Sequence, residues 1–138
     1  MDAPVRILVD TSVWIDFLDG RDESVKALNL LIKSGRVTIC GQIRQEVLQG
    51  SRDDKAFAKL EAQMALWDSE TEEPADFIEA ARVFARLRWK GVTIPPTDGT
   101  RRLSSRCLIA AVALRRKLLL YANDSDFDDI PGLRRYRP

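Results

Sequence analysis

The sequence predicts an α/β protein, a three-layer α/β/α sandwich around a central, mostly parallel sheet of four to five strands. Short apolar segments rich in β-branched residues alternate with longer segments whose apolar residues recur at helical spacing. Such alternation favours parallel strands joined by helices that cover both faces of the sheet. The 138 residues contain no repeat, linker or low-complexity segment, so we expect a single domain, 1–138.

The elements follow from local signals along the chain. Asp10, Thr11 and Ser12 are residue types that begin helices, Gly20 ends the first helix, and Pro74 fits a first helical turn. The predicted strands are 5–9, 37–40, 92–94 and 118–122, with a fifth, shorter candidate near 133–136. The predicted helices are 11–19, 24–33, 42–48, 53–67, 74–89 and 108–116.

Composition excludes several classes of chemistry. The chain has no His, which rules out Ser-His-Asp and Cys-His nucleophile systems and His-ligated zinc. Its two cysteines, Cys40 and Cys107, lie in separate apolar runs, which excludes a C-x-x-C motif and is typical of a reducing cytosol. No apolar run approaches the roughly 18 residues of a membrane span. We therefore expect a cytoplasmic protein without a membrane segment.

Charge is distributed unevenly between the two halves of the chain. Residues 1–81 contain 9 basic and 16 acidic side chains, whereas residues 82–138 contain 13 basic and 5 acidic ones. A basic half indicates a polyanionic partner such as nucleic acid, or else two solvated faces that attract each other or a second copy.

Acidic residues stand near the carboxyl ends of the predicted strands, where ligands bind in open parallel sheets. Asp10 follows the first strand, Asp98 the third and Asp124 the fourth, and Glu46 lies in the helix after the second. Clustered carboxylates need a counter-charge, and Mg²⁺ or Mn²⁺ prefers such oxygen ligands. With no His and a basic half, the pattern indicates metal-dependent hydrolysis of phosphodiester bonds.

Simpler interpretations of the same residues stay open. Asp10 can be a helix cap, Glu46 an exposed helical residue, and Asp98 part of a turn with Gly99. Asp124 and Asp126 can likewise cap a turn.

Residues beside the acids and in the tail have two interpretations each. Thr11 or Ser12 can steady a carboxylate or a phosphate, as well as begin a helix. Arg134, Arg135 and Arg137 can grip RNA phosphates or only keep the tail soluble.

Four segments together carry a family resemblance: V-D-T-S-V-W-I-D-F-L, R-Q-E-V-L-Q-G, C-L-I-A-A-V-A-L and N-D-S-D-F. In this order and spacing they resemble the PIN-domain nucleases, and most closely the VapC-type toxins. The resemblance implies a Mg²⁺- or Mn²⁺-dependent endoribonuclease, usually a homodimer. It also implies inhibition by a VapB-like antitoxin whose C-terminal segment, often with an Arg, fills the acidic groove.

The resemblance also implies a set of site residues. Asp10 and Glu46 match two family acids, and Asp124 matches the last, with Asp126 as substitute or helper. With Asp98, the expected catalytic residues are Asp10, Glu46, Asp98 and Asp124, and the expected metal ligands are Asp10, Asp98, Asp124 and Asp126.

The chain departs from the family pattern at the third acid. The family has Asp directly before C-L-I-A-A, whereas this chain has Arg106, and Gly99–Arg106 resembles an insertion after Asp98. If these eight residues extend the helix, they move Asp98 by about 12 Å and roughly 80° around its axis. We expect a loop instead, with Asp98 in or near the site. The arginines of this segment can also weaken metal binding, or fill the groove as an antitoxin Arg would.

Three other interpretations compete with the nuclease. An aspartate-nucleophile phosphatase usually has a second Asp where this chain has Ser12, and a receiver domain leaves Glu46 without a role. The third alternative is a PIN-like module with a disrupted metal site that binds RNA or an antitoxin without cleavage.

Overall fold

A wholly parallel sheet of four strands lies at the centre of the protein. The computed structural model describes residues 5–92 and 99–138, and within them the strand order is β3-β2-β1-β4. The strands are β1 (Ile7–Val9), β2 (Val37–Cys40), β3 (Asp68–Glu70) and β4 (Leu119–Tyr121). Because all three pairings are parallel and helices connect the strands, the predicted α/β class is confirmed.

Six α-helices and one 3-10 helix surround the sheet in the described ranges. The helices are α1 (Thr11–Leu18), α2 (Asp22–Ser34), α3 (Gly41–Leu48), α4 (Asp54–Met64), α5 (Pro74–Trp89), α6 (Gly99–Arg116) and the 3-10 helix Ser125–Asp129. Every residue of β1 and β2 is buried, as expected for central parallel strands. None of the helices described is long and apolar enough to cross a membrane.

Trp14 fixes α1 against the sheet. Its ring is buried and stacks on Trp67, with ring centroids 4.4 Å apart, and its indole N–H donates to the Val9 carbonyl at 3.0 Å. A Trp whose N–H is bonded can be buried at little cost, and it adds a large apolar surface to the core. The start of α1 is therefore held firmly beside the end of β1.

The structure contains one strand that was not predicted, reduces one predicted strand to a bridge, and leaves most of another outside the described residues. β3 is the polar segment Asp68–Glu70, which apolar patterning misses because it is an edge strand whose first two residues are exposed. In the predicted strand 92–94, Val92 belongs to no strand, and the other two residues lie outside the described ranges. The candidate strand near 133–136 is reduced to a single parallel bridge between Leu120 and Arg135.

The prediction of a loop before C-L-I-A-A is wrong, because Gly99–Arg116 forms one continuous helix, α6. The helix is favoured over the loop because Leu103 and Cys107 lie one helical turn apart and are both buried. Arg106 is buried as well and finds acidic partners, which further fixes the helix. Asp98 lies outside the described residues.

Candidate active site

Asp10 is placed by the end of β1. Its backbone N–H donates to the Tyr121 carbonyl of β4 at 2.9 Å, which ties the ends of the two strands together. The carboxylate caps α1: Oδ2 accepts from the Ser12 backbone N–H at 3.0 Å and from the Ser12 hydroxyl at 2.6 Å. Asp10 is fully buried, yet its Oδ1 has no hydrogen-bond partner among residues 5–92 and 99–138. One oxygen thus serves the helix, and the other is left for a ligand.

Glu46 reaches the same region from α3, the helix that directly follows β2. The Thr11 hydroxyl donates to Glu46 Oε1 at 2.9 Å, so α1 orients this carboxylate. The start of α3 is itself anchored, because the backbone N–H groups of Gly41 and Gln42 donate to the Glu72 carboxylate at 2.8 and 2.6 Å. An anion at a helix N-terminus is favourable, which stabilises this position of the helix.

Asp124 follows β4 and caps the 3-10 helix. Its Oδ1 accepts from the Asp126 backbone N–H at 2.9 Å, and its Oδ2 accepts from Arg106 Nε at 3.0 Å. Next to it, the Asn123 backbone N–H donates to the Ser12 hydroxyl at 3.1 Å. Ser12 therefore links the segments that carry Asp10 and Asp124.

Arg106 lies among these three acids, which we call the acidic cluster: Asp10, Glu46 and Asp124. Its Nε bonds Asp124, and its Nη1 is 3.6 Å from Glu46 Oε2. The side chain is 10% exposed, and the guanidinium lies 5.9 Å from the centre of the Phe127 ring. Residue 106, directly before C-L-I-A-A, thus projects into the site, but it brings a positive charge.

The charges of the site shift the pKa values of its members. Burial lowers the pKa of Arg106, but Asp10, Asp124 and Glu46 raise it more, so the net shift is upward. Burial raises the pKa of Asp124, whereas the bonds from the Asp126 backbone and from Arg106 lower it, and the net shift is downward. Both groups are therefore charged at neutral pH, as an ion pair.

The cluster is nevertheless incomplete. Among the described residues, the cluster contains three acidic side chains and one guanidinium, so acidic groups outnumber the basic one by two. Arg106 Nη1, like Asp10 Oδ1, is buried without a hydrogen-bond partner in the part of the chain that the structure describes. Most buried polar groups in folded proteins are paired with protein or with ordered water, so two such atoms in one site indicate room for a bound water or ligand.

Oxygen donors and excess negative charge are the features that a divalent cation requires. The acidic cluster has both features, and Asp10 Oδ1, which is unpaired among the described residues, is available as a metal ligand. The distances between the acidic side chains do not suit a metal ion, however. Across 5–92 and 99–138, no three acidic, Cys or His side chains are arranged to hold one. Instead, the Arg106 guanidinium bridges Glu46 and Asp124.

The structure places the other predicted residues less centrally. The Asp126 carboxylate pairs with Arg102 Nε at 3.3 Å, and only its backbone N–H contacts the acidic cluster. Arg134 and Arg137 are exposed. Arg135 is half-buried and bonds the Asp128 carboxylate at 2.7 Å and the Ala122 carbonyl at 2.9 Å, so it holds the last segment against β4.

The contact between Asn123 and Asp16 was not expected from the sequence, whereas the contact of Arg106 with Asp124 agrees with the alternative in which an arginine of 99–106 fills the groove. The Asn123 side chain donates to Asp16 Oδ2 at 2.7 Å, which adds a second link between α1 and the segment after β4. Arg102 and Arg106 lie one turn apart on α6 and pair with Asp126 and Asp124. The spacing of four residues between the arginines, opposite D-S-D, is the signal that could have revealed this pairing.

Comparison with known proteins decides the family. The family model described as PIN domain matches residues 7–133, nearly the whole chain. The chain belongs to the PIN domain family.

Relatives of this PIN domain protein carry VapC names. It is 32% identical over 128 residues to "VapC ribonuclease Mb1587" of Mycobacterium bovis and to "Ribonuclease VapC11" of Mycobacterium tuberculosis, covering 90% of each chain in both cases. Within the PIN family, it therefore belongs to the VapC group.

Solved structures agree on the fold. The structure described as DNA-bound VapBC from Salmonella typhimurium contains a chain with a TM-score of 0.75 at 21% identity, covering 96% of this chain and 98% of that one. The structure described as FitAcB from Neisseria gonorrhoeae contains a chain with a TM-score of 0.72 at 17% identity, covering 96% of this chain and 97% of that one.

Proposed function

We propose that this PIN domain protein is an endoribonuclease that acts as the toxin of a toxin–antitoxin pair. The observation that carries the proposal is the acidic cluster, in which Asp10, Glu46 and Asp124 meet at the carboxyl end of the sheet. The relatives at 32% identity are named ribonucleases, which favours RNA as the substrate.

The proposed chemistry is hydrolysis of an RNA phosphodiester bond, with Asp10, Glu46, Asp98 and Asp124 as catalytic residues. Asp10, Asp98 and Asp124, with help from Asp126, would hold Mg²⁺, or Mn²⁺ as the alternative. When bound, the ion would supply a Lewis acid that activates water and stabilises negative charge at phosphorus.

The surrounding side chains of this site have positioning roles in the proposal. Ser12 holds Oδ2 of Asp10 and leaves Oδ1 free. Thr11 holds Oε1 of Glu46, so Oε2 remains for the cluster. Preorganised carboxylates need no rearrangement at the moment of reaction, which is the physical advantage of these two hydroxyl contacts.

RNA is proposed to approach along the basic second half of the chain. Arg134 and Arg137 are exposed and free of the contacts that occupy Arg135, so they are the better candidates for phosphate binding. Such contacts contribute affinity without sequence preference.

The proposed partners are a VapB-like antitoxin and a second copy of the chain. Structures with the same fold are described as VapBC, as a toxin-antitoxin complex and as a member of the VapBC family of toxin-antitoxin systems, which favours an antitoxin partner for this chain. We place the activity in the cytoplasm, in agreement with two buried cysteines that are not bonded to each other.

A second function is favoured by one specific observation, the position of Arg106 within the acidic cluster. A module that binds RNA or antitoxin without cleavage needs no metal ion, and a guanidinium among the acids is compatible with that role. The two functions differ in turnover and in their dependence on a divalent cation.

The test is a cleavage assay on single-stranded and structured RNA with Mg²⁺, Mn²⁺ or EDTA. It compares the natural chain with Asp10→Asn, with a deletion of 99–106, and with Asp22→Asn as an exposed control that removes the same charge elsewhere. The ribonuclease predicts metal-dependent cleavage that Asp10→Asn abolishes and Asp22→Asn does not change. RNA binding without cleavage by any of these proteins, under any of these conditions, would contradict the proposal and support the binding module.

A further inference from the structure

Arg106 takes the position at which the acidic cluster needs a cation. Its guanidinium contacts two of the three acids directly, and the third, Asp10, makes the largest electrostatic contribution to the raised pKa of Arg106. It is a buried member of the cluster, in contrast to the surface arginines Arg101 and Arg102 of the same helix.

We propose that Arg106 is a resident cation of the acidic cluster and that it excludes a divalent metal ion until its side chain leaves. The inference rests on the proposed function because it concerns the same site. It adds that access of metal to the site is controlled by one side chain of α6.

The first argument is electrostatic. Without Arg106, the three acids of the cluster would face one another with no positive charge among the contacts described, which is unfavourable. The guanidinium removes part of this repulsion, and it therefore lowers the attraction of the cluster for a second cation. It also fills the space between Glu46 and Asp124 that a shared ion would need.

The second argument concerns how easily Arg106 can leave. Its Nη1 is buried without a hydrogen-bond partner among the described residues, and its contact with Glu46 is long at 3.6 Å. An unmet buried donor is unfavourable, so the inserted position is held mainly by charge and by one good bond to Asp124. An arginine has a long flexible stem, and exit of its side chain does not require α6 to move.

The experiment measures Mn²⁺ binding without RNA, by electron paramagnetic resonance of free Mn²⁺. The variants are Arg106→Gln, which removes the charge, and Arg106→Asp, which places an acid directly before C-L-I-A-A. Arg101→Gln is the matched control, because Arg101 is exposed on the same helix. Both Arg106 variants should bind Mn²⁺ at least about tenfold more tightly than the natural chain, and Arg101→Gln should bind like the natural chain.

A second measurement protects the test against loss of folding. Mn²⁺ should raise the Tm of Arg106→Asp more than that of the natural chain, since a ligand stabilises the folded state that binds it. Adding Asp10→Asn to Arg106→Asp should remove most of the gain, which locates the bound ion at the acidic cluster. Equal Mn²⁺ affinity of the natural chain and both Arg106 variants would overturn the inference, as would absence of binding in all of them.

The outcomes separate this inference from the proposed function. Tighter Mn²⁺ binding by the Arg106 variants supports the inference even if none of the proteins cleaves RNA, and that combination would refute only the ribonuclease. Cleavage by the natural chain with the same Mn²⁺ dependence as Arg106→Gln would support the ribonuclease and overturn the inference.

Discussion

Arg106 and Arg115 lie nine residues apart on α6, and both contact acids, but in different ways. Arg115 Nε and Nη2 grip both oxygens of the buried Asp76 carboxylate at 2.5 and 2.7 Å, and Nη2 also bonds the Thr71 carbonyl at 3.2 Å. Asp76 in turn accepts from the Glu73 backbone N–H at the start of α5. In the described residues, no Arg115 or Asp76 atom is buried without a partner, whereas the Arg106 site has two such atoms.

The difference separates a structural ion pair from one that we propose to be functional. The Arg115 pair is bidentate, fully bonded and joined to a helix cap, so it holds α5 against α6. The Arg106 site has excess negative charge and, among the described residues, unmet polar atoms, and both features are unfavourable for folding. Unsatisfied buried groups persist in proteins mainly where function requires them.

The largest expected effect comes from breaking the complete pair. Arg115→Gln leaves the Asp76 carboxylate buried without its charge partner, and we expect the free energy of unfolding to fall by about 3–5 kcal/mol. Urea unfolding measures this change. The control is Arg82→Gln, which breaks an exposed pair with Glu79 and should change stability by less than about 1 kcal/mol. Equal losses in the two variants would contradict the structural role of Arg115.

The pH dependence of the same pair should follow from its pKa. Burial raises the pKa of Asp76, but the Arg115 side chain and the Glu73 backbone lower it more, so the folded-state pKa is below the ordinary value. The ionised group therefore stabilises the fold above about pH 4, and this contribution is lost as the pH falls through the folded pKa. Between pH 7 and about pH 2, the free energy of unfolding should decrease less for Arg115→Gln than for the natural chain. An identical decrease would show that Asp76 does not contribute.

A smaller effect is expected from Thr11, the positioning residue for Glu46. Thr11→Val keeps the shape but removes the hydroxyl that orients the carboxylate. RNA cleavage should fall by about 10- to 100-fold, since one bond to a charged group contributes about 1.5–3 kcal/mol. Thr11→Ser keeps the hydroxyl and should restore most of the activity. If Thr11 had a purely structural role, Thr11→Val would have a lower Tm, and Thr11→Ser would not restore RNA cleavage.

The smallest effects are expected in the tail. Arg134→Ala and Arg137→Ala should each weaken RNA binding and lower the salt dependence of log Kd by about 0.7. Arg135→Ala removes bonds to Asp128 and Ala122, so it should lower the Tm instead. Fluorescence anisotropy at several salt concentrations, with melting curves, distinguishes the two kinds of change. If the salt dependence of log Kd is unaltered in Arg134→Ala and in Arg137→Ala, these two side chains do not contact RNA.

The sequence was sufficient for the fold class and for three of the four strands. Apolar β-branched runs identify β1, β2 and β4 because these strands are buried, whereas β3 is a polar edge strand whose pairing depends on a distant neighbour. Residues at strand ends could be assigned to a common edge from parallel topology alone.

Side-chain geometry at the site could not be predicted in the same way. The helical spacing of Leu103 and Cys107 was visible in the sequence, but Gly99 favoured a loop, and packing against the rest of the fold decided the competition. Only the three-dimensional arrangement shows that Arg106 bonds Asp124 while Arg102 takes Asp126.

The most direct test of the account is a crystal structure of the natural chain and of Arg106→Gln, both soaked in Mn²⁺ and measured at the manganese absorption edge. The account predicts anomalous density beside Asp10, Glu46 and Asp124 in Arg106→Gln, and none there in the natural chain, where the guanidinium bridges Glu46 and Asp124. Manganese bound at the acidic cluster of the natural chain, with Arg106 still in contact with Asp124, would contradict it.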